Sequence, residues 1–368
     1  MREDARRLAR EVDWSRLANA LTARRLLPTL GPRMLEIAAE EASKDFAGVV
    51  ERATDAARRH ATYLQLVNAR LVRALTDADI RCGPLKGPTL SEALYGDPGR
   101  RLSNDIDLLV PTEQLRSAVE VVCALGYARP PDYVDEHGLP QLHFSLAHEQ
   151  HKLPPVELHW RVHCYERSFA RERLLPPAGL PPDDWRPDAV DELIALLLYY
   201  ARDGFIDLRQ ASDLSAWWDA RGAQLADGAI DRRLETYPAL ARVVRVAAQV
   251  AEKVTGLPAA QALRELPAPG VRDRIAMRLV NPNPDSSPAQ LYADVGLVDG
   301  LLAPSGTFGA FVRRRVLPPR EFLEELDRYA PKRWARSSLG RGAARGAGIL
   351  GRYALTITRR ALAPNETL

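Results

Sequence analysis

Two acids one residue apart, Asp105 and Asp107, stand at the mouth of an apolar run in the stretch RRLSNDIDLLV. Side chains on a strand alternate between its faces, so both carboxylates point the same way, roughly 6.6 Å apart along the backbone. Each negative charge makes ionisation of the other harder, and a packed strand normally avoids such a pair. A positive group between them removes the conflict. Divalent magnesium suits that place, because it prefers hard oxygen ligands and shares them with substrate phosphates. A pair of such ions stabilises both the attacking and the leaving oxygen of a phosphoryl displacement. A third carboxylate comes from PPVELHWRV, where Glu157, His159 and Arg161 alternate with the packed-face residues Val156, Leu158, Trp160 and Val162. The competing explanation is an edge strand whose solvated face is acidic.

The elements around these residues set their positions. Residues 1 to about 79 read as helices: DWSRLANALTARRLLPTL puts Trp14, Leu17, Leu21 and Leu26 near one face, and the run from Ala42 to Ile80 keeps a helical period without an interior proline. IRCGPLKG is a short apolar strand entering a turn at Lys86-Gly87, followed by a helix opened by Pro88 and ended near Gly96. GDPGRRLSN is a loop, DIDLLV a strand, and TEQLRSAVEVVCALGY a helix capped by Thr112 and closed around Gly126. QLHFSLAHE and PPVELHWRVH are two further strands, expected to pair antiparallel. From about 189 the chain is helical again, and its last hundred residues are broken by prolines, as in NPNPDSSP. Four regions follow: helices over 1–79, an αβ core over 80–165, a helical domain over 166–262, and an irregular or helical C-terminal part over 263–368 with a basic tail.

Bulk properties exclude several function classes. At 368 residues, 46% hydrophobic and 27% charged, the chain is an ordinary globular protein with more than one structural region. A net charge of +3 does not demand a nucleic-acid partner. Cys82, Cys123 and Cys164 share no short spacing, which argues against a disulfide framework or a zinc knuckle and fits a reducing cytoplasm. The charged N-terminus lacks a signal peptide's apolar segment, and the longest apolar run, LIALLLYYA, is about half of a bilayer span. The core has neither a GxGxxG fingerprint nor a P-loop.

The succession GPLKG, helix, YGDPGRRLSNDIDLLV and VELHWRV resembles the uncharacterised nucleotidyltransferase family of the DNA polymerase beta-type superfamily. VDWSRLANAL, LRQASDLSAWW and LPPREFLEELDRYAPK also resemble family positions, so the likeness runs over nearly the whole chain. It implies an α+β fold: a small mixed β-sheet nucleotidyltransferase core, polymerase-beta-like, flanked by N- and C-terminal helical regions. It further implies that Asp105, Asp107 and Glu157 hold magnesium, two ions in all, and that the Lys86-Gly87 turn lies where the superfamily carries a Gly-Gly/Ser turn touching nucleotide phosphates. Backbone amides at such a turn favour anions, and Lys86 adds a point charge. The Gly-Ser pair is Lys-Gly here, and the small residue before the first acid is Asn104.

Other residues divide between functional and structural readings. Arg101 either neutralises phosphate charge or pairs with an acid such as Asp97. His159 either orients a ligand carboxylate, contacts phosphate, or is a hydrogen-bonded sheet histidine. Six of the seven histidines fall between residues 137 and 163, which raises a transition-metal site at His143, His148 and His151, although the spacings match no closed zinc pattern. Arg209 and Asp213 have ion-pair spacing on a helix, and Trp217 and Trp218 read as core. The basic tail, with Lys332, Arg333, Arg336, Arg341, Arg345 and Arg352, reads as solvated.

The expected activity is magnesium-dependent transfer of a nucleoside monophosphate, AMP from ATP, onto a hydroxyl or phosphate of an acceptor in the cytoplasm. A small molecule or peptide is preferred over nucleic acid as acceptor, since family members resemble accessory enzymes of peptide natural-product pathways. The alternatives are an impaired nucleotide- or partner-binding protein of the same fold, and a metal-dependent kinase or phosphohydrolase using the same acids. Asp107→Ala is expected to abolish pyrophosphate release at little cost in stability.

Overall fold

The computed structural model describes residues 2–130, 141–150, 152–182, 185–258, 262, 269–280, 288–304, 306–316 and scattered positions between 347 and 358. His151, the proline-rich break at 281–287, the LPPREFLEELDRYAPK segment and the six basic tail residues named above lie outside them. The chain divides into two compact units. The first comprises residues 1–130, 143–160 and 171–187; the second takes 141–142, 161–170 and the described residues from 188 onward.

In the first unit, helices α1 (Arg2–Ala9), α2 (Trp14–Ala23), α3 (Leu27–Ile37) and α4 (Lys44–Asp77) precede the sheet. The run beginning at Trp14 is two helices rather than one: Arg25, at φ 58°, turns the chain between them, and Pro28 sits in the first turn of α3, where its missing N–H costs nothing. The expected long helix is α4. Ser43 caps it, accepting a hydrogen bond from the Phe46 amide at 3.1 Å. Its buried residues Phe46, Val50, Ala57, Ala61, Leu64, Val67, Leu71 and Leu75 recur at helical spacing and give it one packed stripe.

The sheet follows, with β1 (Gly83–Pro84), α5 (Gly87–Tyr95), β2 (Ile106–Leu109), α6 (Leu115–Ala124), β3 (His143–Leu146) and β4 (Val156–His159). Strand order is β1-β2-β4-β3. β1 and β2 are antiparallel, β2 and β4 parallel, and β3 and β4 antiparallel as expected. Pro84 confines β1 to two residues at the sheet edge, the place where a proline is tolerated. α6 starts differently from expectation. Thr112 lies inside a short 3₁₀ turn, Thr112–Gln114, that leads into α6, and no side chain caps it. Ile106, Leu108, Val110, Val156 and Leu158 pack beneath the sheet with Leu64, Val67, Leu71 and Leu75 of α4 and Ala118, Val119 and Val122 of α6. Burying each large side chain contributes about 1.5–3 kcal/mol, so the opposite sheet face is free to carry charge.

The second unit is helical: α7 (Ala189–Arg202), α8 (Leu208–Arg221), α9 (Ala229–Thr236), α10 (Ala241–Thr255), α11 (Val271–Leu279), α12 (Pro288–Leu302) and α13 (Phe308–Val316). Asp188 and Asp207 cap α7 and α8. The LIALLLYYA run belongs to α7, which is buried from Ala189 to Ala201 and packs on α8 and α10. Among the described residues no helix is long and apolar enough to cross a membrane. Helices around a small mixed sheet make the fold α+β, as expected.

Candidate active site

Strand register brings the acids together. β2 and β4 run parallel with Asp107 opposite Glu157 and Leu108 opposite Leu158. Partners across a sheet share a face, so the two carboxylates lie side by side on the face turned away from the core. β3 adds His143 opposite His159 and Ser145 opposite Glu157. Asp105 directly precedes β2, and its carboxyl feels the charges of Asp107, Glu157 and Lys86.

The polar groups on this face form one network. His159 is fully buried, with Nε2 2.9 Å from Asp107 Oδ1 and 3.2 Å from Glu157 Oε2. His143 Nε2 stands 3.6 Å from Glu157 Oε1. Asp107 is itself buried at 7% exposure, and the Lys86 ammonium lies 3.6 Å from its Oδ1. The Leu85 amide donates to the Asp107 carbonyl at 3.1 Å, tying the turn before α5 to the acid strand. Gly87 adopts φ 74°, a left-handed conformation that costs any residue with a Cβ about 1–2 kcal/mol. Lys86, Gly87 and Thr89 line a concavity with Asp105 and Asp107, and Asn68 of α4 closes its side.

The electrostatics fit a cation. Burial raises the Asp105 pKa, and the neighbouring charges of Asp107 and Glu157 raise it further, against the pull of Lys86. Burial also pushes Glu157 up, but the hydrogen bond from His159 and the positive charge of His143 and His159 outweigh it and leave its carboxyl below the ordinary range. Three carboxylates share a half-buried place with one ammonium and two imidazoles. Their hard oxygen donors suit a divalent ion, and Asp105, Asp107 and Glu157 would hold it.

The remaining candidates are placed as follows. Arg101 is buried, with its guanidinium on the Ser103 hydroxyl at 3.0 Å and its amide on Ser91 Oγ at 2.9 Å. Asp97 accepts from Arg58 at 2.9 and 2.8 Å and from the Gly99 amide, so it organises the loop before the acids. His148 turns its ring edge-on to Tyr127, 5.3 Å between centroids, while His143 joins Glu157 and His159. Arg209 forks onto Asp207, the cap of its own helix. Trp217 is buried, as expected of core, and donates to Glu192 at 2.7 Å. The three cysteines are unbridged. Sequence reasoning missed two contacts: the approach of His143 to Glu157 and the commitment of Lys86 to Asp107. The first was latent in the β3–β4 pairing once its register is known.

A family model described as an uncharacterised nucleotidyltransferase matches residues 10–256 of this chain, more than half of it. The chain belongs to that family. The matched segment contains every residue of the acidic face and the Lys86-Gly87 turn, and runs to the left-handed Gly256 that ends α10. No curated protein matches this member of the family.

Proposed function

We propose that this chain transfers a nucleoside monophosphate, AMP from ATP, to a hydroxyl or phosphate oxygen of a small-molecule or peptide acceptor. The observation that carries the reading is the side-by-side register of Asp107 and Glu157 on a buried-edged face, next to Asp105 and a left-handed glycine turn. In this reading the acceptor oxygen attacks the α-phosphorus in line, the bond to the bridging oxygen breaks, and pyrophosphate leaves with that oxygen. A divalent cation, magnesium on oxygen donors, supplies charge neutralisation and polarisation of the phosphates when bound. The chain's own contribution is positional. Asp105, Asp107 and Glu157 would hold the cation, and His159 fixes the orientation of the last two through its 2.9 and 3.2 Å contacts. The amides at the start of α5 and the Lys86 charge face the triphosphate. Phosphoryl transfer asks for little covalent chemistry, so positioning and charge account for most of the rate gain.

The test is incubation with each NTP and magnesium, with pyrophosphate release and intact-mass analysis of candidate acceptors. An adduct of nucleotide mass supports the reading, and a phosphate-mass adduct moves it to a kinase. One observation favours a second reading. The Lys86 ammonium sits against Asp107, where a resident charge competes with a metal ion, as in a nucleotide-binding protein that has lost turnover. Calorimetry separates the two, since tight nucleotide binding without pyrophosphate from any acceptor belongs to the second.

A further inference from the structure

We infer that the acidic face has a nitrogen-rich flank, His143, Glu157 and His159, that takes a first-row transition cation such as Mn²⁺ or Zn²⁺ in preference to Mg²⁺. Three observations carry this. The donor atoms of the three residues lie within 4.8 Å of one another, with His143 Nε2 3.6 Å and His159 Nε2 3.2 Å from the two Glu157 oxygens. Donors around one cation with bonds of about 2.1 Å stand roughly 3.0–3.5 Å apart, so the two His–Glu157 separations already approach a coordination shell and the widest donor pair closes by about 1 Å. Backbone register holds the geometry: His143 and His159 are paired across β3 and β4, and their rings lie 4.7 Å apart at 35°. Both turn Nε2 toward Glu157.

Burial is graded in the way a site requires. His159 is fully enclosed, with Nε2 aimed at the carboxylates. The side chains of His143 and Glu157 are 24% and 22% exposed, which leaves a cation a route from solvent. Donor chemistry then decides the metal. Imidazole nitrogen binds Mn²⁺ weakly and Zn²⁺ strongly, but barely replaces water on Mg²⁺, which selects oxygen. The Asp105–Asp107 pair offers oxygen only, so two positions sharing Glu157 would differ in metal preference. This inference rests on the reading that the acidic face holds cations, but not on transfer itself.

The test uses the full chain stripped with EDTA, Mn²⁺ as the probe, and electron spin echo modulation to detect coupling to ¹⁴N. The expected result is stoichiometric Mn²⁺ with nitrogen coupling, displaced by Mg²⁺ only at large excess. His143→Ala, at a partly exposed position, should weaken the nitrogen modulation and raise the Mn²⁺ dissociation constant about tenfold or more. His148→Ala should change neither. Bound Mn²⁺ without nitrogen coupling overturns the inference and leaves the carboxylate site standing. Coupling unchanged in His143→Ala overturns the assignment, as does a failure to bind Mn²⁺ at all. Pyrophosphate release with Mg²⁺, measured in parallel, reports separately on the transfer reading.

Discussion

Replacing Asp107 by Asn separates two pictures of the acidic face. If Asp107 were only a carboxylate repelled by its neighbours, the neutral isostere would stabilise the protein. The structure argues the opposite sign. Lys86 Nζ lies 3.6 Å from Asp107 Oδ1, with the two side chains 9% and 5% exposed, and His159 Nε2 lies 2.9 Å from the same oxygen. At an effective dielectric of about 20 the Lys86–Asp107 attraction alone is about 4–5 kcal/mol, a ceiling that desolvation of both groups reduces. Removing one partner from a buried pair strands the other charge, at roughly 3–5 kcal/mol. The long lysine stem relaxes toward solvent, so we place Asp107→Asn below that range, at about 2–3 kcal/mol. Asp107→Ala costs more, because it also removes the acceptor for His159. The Lys86 and His159 contacts thus predict a cost where the sequence alone led us to expect little.

A double-mutant cycle isolates the pair. Asp107→Asn with Lys86→Met removes both charges and should recover about 2 kcal/mol of the loss. Hydrogen exchange of β2 and β4 amides reports on the first unit alone, which matters because two units need not unfold together. Activity should not recover with stability: both Asp107 variants should lose about 10³-fold or more in magnesium-dependent pyrophosphate release, some 4 kcal/mol of transition-state stabilisation. An Asp107→Asn protein as stable as wild type refutes the buried-pair argument. Full turnover by the same protein refutes the transfer reading.

Asp105→Asn should behave as the contrast. Burial, then the like charges of Asp107 and Glu157, raise the Asp105 pKa, so the folded state loses stability as Asp105 ionises. The variant should be the more stable protein at pH 8, with the gain fading as pH falls through the raised pKa, and denaturant titration at several pH values reads it; turnover should still drop roughly 10³-fold. Among the described residues Gly87→Ala meets no atom closer than Ser103 Oγ at 3.9 Å, so its cost is the φ 74° conformation, about 1–2 kcal/mol in a thermal melt. In the second unit, burial pushes Glu166 up to about 7 from an ordinary 4.5, and it pushes His163 down to about 3 from 6.5. The Glu166 contribution falls with rising pH between 4.5 and about 7, and the His163 contribution grows between about 3 and 6.5; over their overlap the slopes oppose. Glu166→Gln should uncover the histidine slope, up to about 1.4 kcal/mol per pH unit, in denaturant titrations from pH 4 to 7.

Period and punctuation made most of the fold legible. The long apolar stripe of α4 and the Pro88–Gly96 bracket around α5 follow from local geometry and stand as expected; in VELHW the burial alternates only as far as Leu158, because His159 is buried too. Strand alternation in DIDLLV and VELHW assigned Asp107 and Glu157 to the face opposite the packed residues before any register was known. What sequence could not supply was the partner of each charge. Lys86 reaches Asp107 because β1, only two residues long, pairs with β2 and delivers the turn beside it. His143 reaches Glu157 because β3 aligns with β4 residue for residue. Both contacts depend on register between distant segments, and a one-residue slip would send either side chain to the opposite face. The helical stretch from Trp14 divides into α2 and α3 for a different reason. A left-handed Arg25 breaks the run, and Pro28, at the first turn of α3, is the one residue type in it that marks a new helix start. Charge pairing is thus the least readable level of this chain and also the one that governs its chemistry. The same three carboxylates either repel, hold a lysine or gather a cation, and only the groups that register brings opposite them decide which.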